Sequence, residues 1–230
     1  MNRKEFYSIY NVHEKPASTF YHRYVPKKFG KLIAYPLYKL NLSPNLLSLS
    51  SFLLLLLSIF NLFYFNGLIG QILFFLVSLI SYSLDCIDGV IARISEKQTK
   101  FGAFFDLLLD RAGELILYIA VLFYSFNHLN QIEMVLLSFS LFIRYIYGIA
   151  SLIRAAKVPE MNDTMKRKDP GILKNVVKFF YEFTDTGTFY FFLTICFILS
   201  KFSFIIIYGA LNTLMLFGMI YIVFKNEFKY

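Results

Sequence analysis

Residues 44–66 read PNLLSLSSFLLLLLSIFNLFYFN, an apolar run without a charged side chain. At about 1.5 Å per helical residue, such a run crosses the ~30 Å hydrocarbon core of a bilayer. Working outward, five further stretches of near-bilayer length follow, at about 68–94, 102–125, 131–155, 176–199 and 203–224. The breaks between them alternate in character. Those at Asn66-Gly67, at 127–131 and at 200–203 are short and nearly uncharged. Lys97 and Lys100, then Arg154, Lys157 and the basic triplet 166–168, then Lys225 and Lys229 fall on the other side, with the basic leader. The positive-inside bias puts both termini in the cytoplasm. The expectation is an all-α, six-span integral membrane protein of a bacterial or archaeal cytoplasmic membrane.

Composition agrees with that reading. Of 230 residues, 57% are hydrophobic and only 17% charged, too apolar for a soluble domain of ordinary make-up. Six spans leave room for an N-terminal segment, 1–43, and one membrane domain, 44–230, but not for a separate soluble domain. The net charge of +8, which in a soluble protein would point to nucleic acid, is explained here by topology and by anionic lipid. Residues 26–42 mix Phe29, Leu32, Ile33, Leu37 and Leu40 with four lysines, as a basic helix lying in the membrane interface would, although Gly30 and Pro36 weaken a helix. A merely solvated leader is the alternative. No removable signal peptide is expected, because the first apolar run starts late and lacks a small-residue cleavage pattern. Cys86 and Cys196 sit in apolar surroundings and offer no disulfide framework or zinc spacing. His13, His22 and His128 are scattered, as surface histidines are. Neither a Gly-rich phosphate loop nor a serine elbow is present.

The chemistry concentrates where the second span ends and the third begins. Asp85 and Asp88 are three apart, Asp106 and Asp110 four apart, so each pair shares one helix face. A short basic connector folds the two helices into an antiparallel pair and lets the four carboxylates converge. Decoration of helix ends fails on magnitude. One Asp at a span centre costs roughly 2.5–3.5 kcal/mol on insertion scales. Arg93 and Arg111 offset part of the charge, but an oxygen-only cluster without His or Cys is what hard cations such as Mg2+ or Mn2+ bind. Gly89, Ala92 and Gly102 remove bulk on the same stretch, so that a planar or phosphorylated ligand can approach the backbone. Two cations in such a cluster are the usual clamp for phosphoryl transfer.

From 85 to 110 the chain reads D-x2-D-G-x2-A-R-x8-G-x3-D-x3-D. This resembles the signature of the CDP-alcohol phosphatidyltransferases, a family of six-span phospholipid-synthesising enzymes. Ser43-Pro44-Asn45 is also similar to the Pro-Asn start of that family's first span. The resemblance implies two divalent cations, Mg2+ or Mn2+, held by Asp85, Asp88 and Asp106, with Asp110 joining the second and acting as the base on the acceptor hydroxyl. It further implies a cytidine and phosphate site at Asp85, Gly89, Ala92, Arg93, Gly102 and Asn45, attack on the phosphorus bearing the donor alcohol, release of CMP, and a homodimer.

Subfamily markers point toward inositol-type members. Asp110-Arg111 with Glu114 is similar to their D-R-x-x-D ending, and the D-P-x-x-D-K ending of phosphatidylglycerophosphate synthases is absent. The leader 15–24 is loosely similar to that of members using CDP-inositol, which leaves a soluble CDP-alcohol as an alternative donor to CDP-diacylglycerol. The acceptor is expected to be inositol or a phosphorylated polyol. Arg144, Arg154 and Lys157 resemble the basic residues lining acceptor pockets of inositol-phosphate users, although Arg154 and Lys157 also fit plain positive-inside anchoring. Asp185, among Thr184, Thr186 and Thr188, is expected to face the cavity and touch a polyhydroxyl acceptor. A small cation transporter and a non-catalytic scaffold are the rivals. The first would spread acids over several spans, and the second would not need four costly carboxylates.

Overall fold

In the computed structural model, which describes residues 1–14, 20–65, 67–157, 186–199 and 203–227, every regular element is an α-helix. They are α1 (Arg3–His13), α2 (Phe20–Tyr24), α3 (Pro26–Lys39), α4 (Pro44–Tyr64), α5 (Leu68–Ile94), α6 (Lys100–Ser125), α7 (Gln131–Lys157), α8 (Thr186–Leu199) and α9 (Ser203–Glu227). By length and composition, α4, α5 and the Gln131–Ala150 part of α7 can each cross a bilayer. The apolar helices at Thr188–Leu199 and Phe204–Gly218 are shorter. Helix α6 carries Asp106, Asp110, Arg111 and Glu114 along its length, the price in hydropathy of the acids it presents. The protein is thus a multi-pass membrane protein, helical throughout its described elements. The start of the fifth expected span, 176–185, lies outside the described residues, as does Asn66.

Local chemistry sets the helix boundaries. Ser43 caps α4 by accepting from Leu46 N at 3.2 Å, and Pro44 occupies the first turn, where its missing N–H is harmless. Gly67 then reverses the chain at φ +68 before α5. Helix α4 buries Leu47, Ser48, Ser51, Leu55, Ser58 and Leu62 at three- and four-residue intervals, one stripe of a helix. Against it α5 sets Ser81 and Asp88, also buried. Serines at this seam let the two backbones approach, as small residues do between membrane helices. Ser81 Oγ donates to the Ser51 carbonyl at 2.7 Å.

The helices form two compact units. One comprises residues 1–120 with the described part of 185–198, the other the remainder from 121 with α9. In the second, Ser140 on α7 lies where a Cβ on Gly209 of α9 would stand, so that glycine permits the contact.

The N-terminal segment adds most to the sequence expectation. Helix α3 forms with Gly30 and Pro36 inside it. Gly30 is a contact point with α5: a Cβ there would lie 2.6 Å from Ile87 Cγ2 and 2.8 Å from the Ser83 carbonyl oxygen. Ahead of it stands α1, started by a capping box in which Asn2 accepts from Glu5 N at 2.9 Å and Glu5 accepts from Asn2 N. Phe6 and Tyr10 of α1 are buried with Ala34, Leu47, Ile87 and Ile91. Burial, reinforced by Glu14, pushes the Tyr10 phenol above the usual range. His22 is half-buried, with Nε2 3.2 Å from Cys86 Sγ and its ring against Tyr82. The apolar neighbours that draw it in lie on α5, far away in sequence.

Gly30→Ala is expected to lower stability by about 1–3 kcal/mol, since the added methyl must displace α5 backbone. Gly218→Ala, where a Cβ meets nothing within 4 Å, is expected to hold or raise stability by up to about 1 kcal/mol. Thermal unfolding of the two variants in detergent checks the contrast.

Candidate active site

Asp85 and Asp88 project from the last turns of α5, Asp106 and Asp110 from the first turns of α6. Asp85, Asp88 and Asp106 each place one carboxylate oxygen within 4.8 Å of the others. Three hard anionic oxygens at that spacing fit a hard divalent cation and would repel one another without one. Asp88 is 4% exposed. Its Oδ2 accepts from Ser48 Oγ at 2.6 Å, and its Oδ1 accepts from Gly89 N. The serine turns the carboxylate, as outer hydrogen bonds orient metal ligands. Asp110, one turn deeper, is the most exposed of the four and is in side-chain contact with Asp85.

Two cavities flank this cluster. The outer one, of about 560 Å3, is lined by Asn45, Gly89, Ala92, Arg93 and Gly102 together with Asp88 and Asp106. Every residue expected at the nucleotide site except Asp85 therefore lines one space. Gly102 leaves room there: a Cβ would stand 2.9 Å from Asn45 Oδ1 and 3.0 Å from Thr99 Oγ1, and those side chains would have to shift. Lys97 and Lys100 complete the lining. With Arg93 they give a space lined by Asp88 and Asp106 its cations, a charge distribution suited to a phosphorylated ligand.

The inner cavity is about 70 Å3 and is lined by Asp85, Asp106, Asp110, Arg111 and Glu114, with Tyr82 and Tyr190. Glu114, 6% exposed, receives Arg111 Nη1 at 2.5 Å and the Tyr118 hydroxyl at 2.5 Å. This pairing offsets a charge otherwise costly at such depth. Asp106 and Ser48 line both cavities.

Arg144 belongs to the second unit, where it is 3% exposed, donates to the Tyr208 hydroxyl at 3.0 Å and lies over that ring at 5.3 Å. Arg154 and Lys157 end α7, with side chains outside the description, and Asp185 lies outside the described residues. Sequence reading passed over Ser48, Tyr190 and the cavity-lining role of Lys97 and Lys100. Only Ser48 had a signal: a serine in register with Ser51 and Ser58 along a leucine-rich span.

The description of the CDP-alcohol phosphatidyltransferase family matches residues 41–224. Among curated proteins, the archaetidylinositol phosphate synthase of Pyrococcus horikoshii is 34% identical over 88 residues, covering 38% of this chain and 43% of that protein. An uncharacterized protein of Aquifex aeolicus is 39% identical over 83 residues, 36% of this chain and 40% of that one. The matched stretches thus span less than half of either relative. The family match, in contrast, takes in all four aspartates and the helices that carry them, and the chain belongs to the CDP-alcohol phosphatidyltransferase family.

Proposed function

We propose that this protein transfers a substituted phosphate group from a CDP-alcohol to the hydroxyl of an acceptor and releases CMP, with CDP-diacylglycerol as donor and a phosphorylated inositol as acceptor. The reading is carried by one observation: a three-carboxylate group stands between two cavities, and the larger holds the small and cationic residues of the nucleotide signature. The inositol phosphate follows the name of the Pyrococcus horikoshii relative and the Asp110-Arg111 ending.

Asp85, Asp88 and Asp106 would hold divalent cations, Mg2+ or Mn2+, which neutralise phosphate charge when bound. Gly89, Ala92 and Gly102 leave room for the cytidine, while Arg93, Lys97 and Asn45 receive the pyrophosphate. Asp110 takes the proton of the acceptor hydroxyl. That oxygen then bonds to the phosphorus bearing the donor alcohol, the bond from this phosphorus to the bridging oxygen breaks, and CMP leaves with the electron pair. Arg144, Arg154, Lys157 and Asp185 are assigned to the acceptor side. Around this chemistry we place six spans over 44–230, a segment 1–43 lying at the cytoplasmic interface among anionic lipids, both termini and the active site in the cytoplasm, and a homodimer.

The test is CMP release by purified protein with Mg2+ or Mn2+. CDP-diacylglycerol and CDP-inositol serve as donors, inositol and inositol phosphate as acceptors. Release only from CDP-inositol would replace the donor, and no release from any pair would overturn the transferase reading, as a transporter or scaffold would give none.

Asp110→Asn is expected to lower turnover at least about 100-fold with donor KM within about twofold, since an amide accepts no proton at neutral pH. Near-normal turnover removes Asp110 from the mechanism. Ser48→Ala should raise the Mn2+ concentration for half-maximal activity about 10-fold while turnover at saturating Mn2+ is kept, because it frees the Asp88 carboxylate without removing it. A metal titration superimposable on the wild type would deny Ser48 that role.

A further inference from the structure

The N-terminal helix does more than cover α5. The last carbonyls of an α-helix have no partner within it, and they carry the negative end of its dipole. At the end of α1, the Tyr10 carbonyl accepts from Glu14 N at 2.8 Å. The His13 carbonyl accepts from Arg93 Nε at 3.0 Å, across eighty residues of sequence. Arg93 therefore caps α1, and α1 fixes the guanidinium of Arg93. Held by Nε, the guanidinium lies across the bare backbone of Gly89, where a Cβ would stand 3.4 Å from Nη1 and 3.9 Å from Nη2. Both residues line the outer cavity.

An arginine at a helix end ordinarily loses much rotamer entropy on gripping a ligand. Here the loss is already met by the fold, provided α1 stays docked. Its docking is well determined. Phe6 and Tyr10 are 0% and 1% exposed, Tyr7 donates to the Lys31 carbonyl at 2.9 Å, and Lys31 Nζ donates to Asn11 Oδ1 at 2.7 Å. None of Phe6, Tyr7, Tyr10 and Asn11 lines the outer cavity, so α1 can be loosened at these positions without substituting a lining residue.

We propose that α1 is a positioning element for the donor nucleotide, the His13 carbonyl pre-setting Arg93 for the donor's diphosphate and thereby setting donor affinity. The proposal rests on the reading above that the outer cavity takes a CDP-alcohol through Arg93. By linkage, whatever α1 does for nucleotide affinity, bound nucleotide does for α1 docking.

The probe is CDP with Mg2+, bound to the full-length protein in detergent and needing no acceptor. Arg93→Lys keeps the charge but cannot span the His13 carbonyl and the cavity as a planar fork does. Phe6→Ala undocks α1 and leaves Arg93 in place. Each is expected to weaken CDP binding about tenfold, and the double variant to be no weaker than Arg93→Lys alone. Turnover at saturating CDP-diacylglycerol should fall less than about twofold in Phe6→Ala. Hydrogen exchange needs no destabilised variant: CDP should slow the amides of residues 3–13 in the wild type and leave them unchanged in Arg93→Lys. If Arg93→Lys binds CDP normally, the donor reading of Arg93 fails. If Arg93→Lys weakens binding but Phe6→Ala does not, or the two effects multiply, or CDP leaves α1 exchange unaltered in the wild type, the positioning role of α1 is overturned while the donor reading stands.

Discussion

Carboxylates inside an apolar helix bundle are the constraint on which the rest of the structure depends. Each costs roughly 2.5–3.5 kcal/mol on insertion scales, and several in one place repel one another besides. The surrounding helices answer in kind. Helix α4 contributes Ser48 to Asp88, Arg111 and Tyr118 share Glu114, and Arg93, Lys97 and Lys100 set positive charge around the outer cavity. Small residues do the complementary work. Serines along the α4 and α5 seam bring the backbones close enough for such contacts, and Gly102 leaves space for Asn45 beside the cluster.

A site of this kind also needs one wall that a simple run of spans does not supply. The face of α5 bearing Ile87, Val90 and Ile91 is covered by α1 and α3. Its cover is ordinary apolar packing, with Gly30 admitting α3 to the Ser83 carbonyl. The cover reaches into the chemistry only through its polar edges, above all the His13 carbonyl on Arg93. A segment that would otherwise be a solvated leader is thereby made part of the same compact unit as the aspartates.

Much of this was legible in the sequence, for identifiable reasons. Helix α4 announces itself because length and apolarity are local properties, and the 85–110 signature because its spacing is helical arithmetic. Gly89, Ala92, Arg93, Gly102 and Asn45, singled out in the sequence, line one cavity. What sequence reading did not reach is long-range. That Gly30 is a contact point, and not a weak spot, depends on Ser83 and Ile87. The partner of Arg93 is a backbone carbonyl, which has no residue-type signal at all. His22 seemed a surface residue because nothing nearby in sequence marks Cys86 and Tyr82 as its neighbours. Helix α1 did carry a local mark, the Asn2 to Glu5 capping box, but eleven residues of mixed polarity give little periodicity to read.

The division of the site into unequal cavities has a chemical consequence for the proposed transfer. Water is the competing acceptor in any phosphoryl transfer, so an enzyme that makes lipid must keep most of it from the reacting phosphorus. The outer space, about 560 Å3, is large enough for a nucleotide. The inner one, about 70 Å3, admits a hydroxyl-bearing fragment or a few waters, and on its wall Glu114 is already engaged by Arg111 and by Tyr118. Asp110 faces that smaller space, so in the proposed transfer the base stands beside whatever hydroxyl the rest of a bound acceptor places there. In that transfer, preference for alcohol over water would rest on the four-residue step that leaves Asp106 shared by both cavities and Asp110 lining only the inner one.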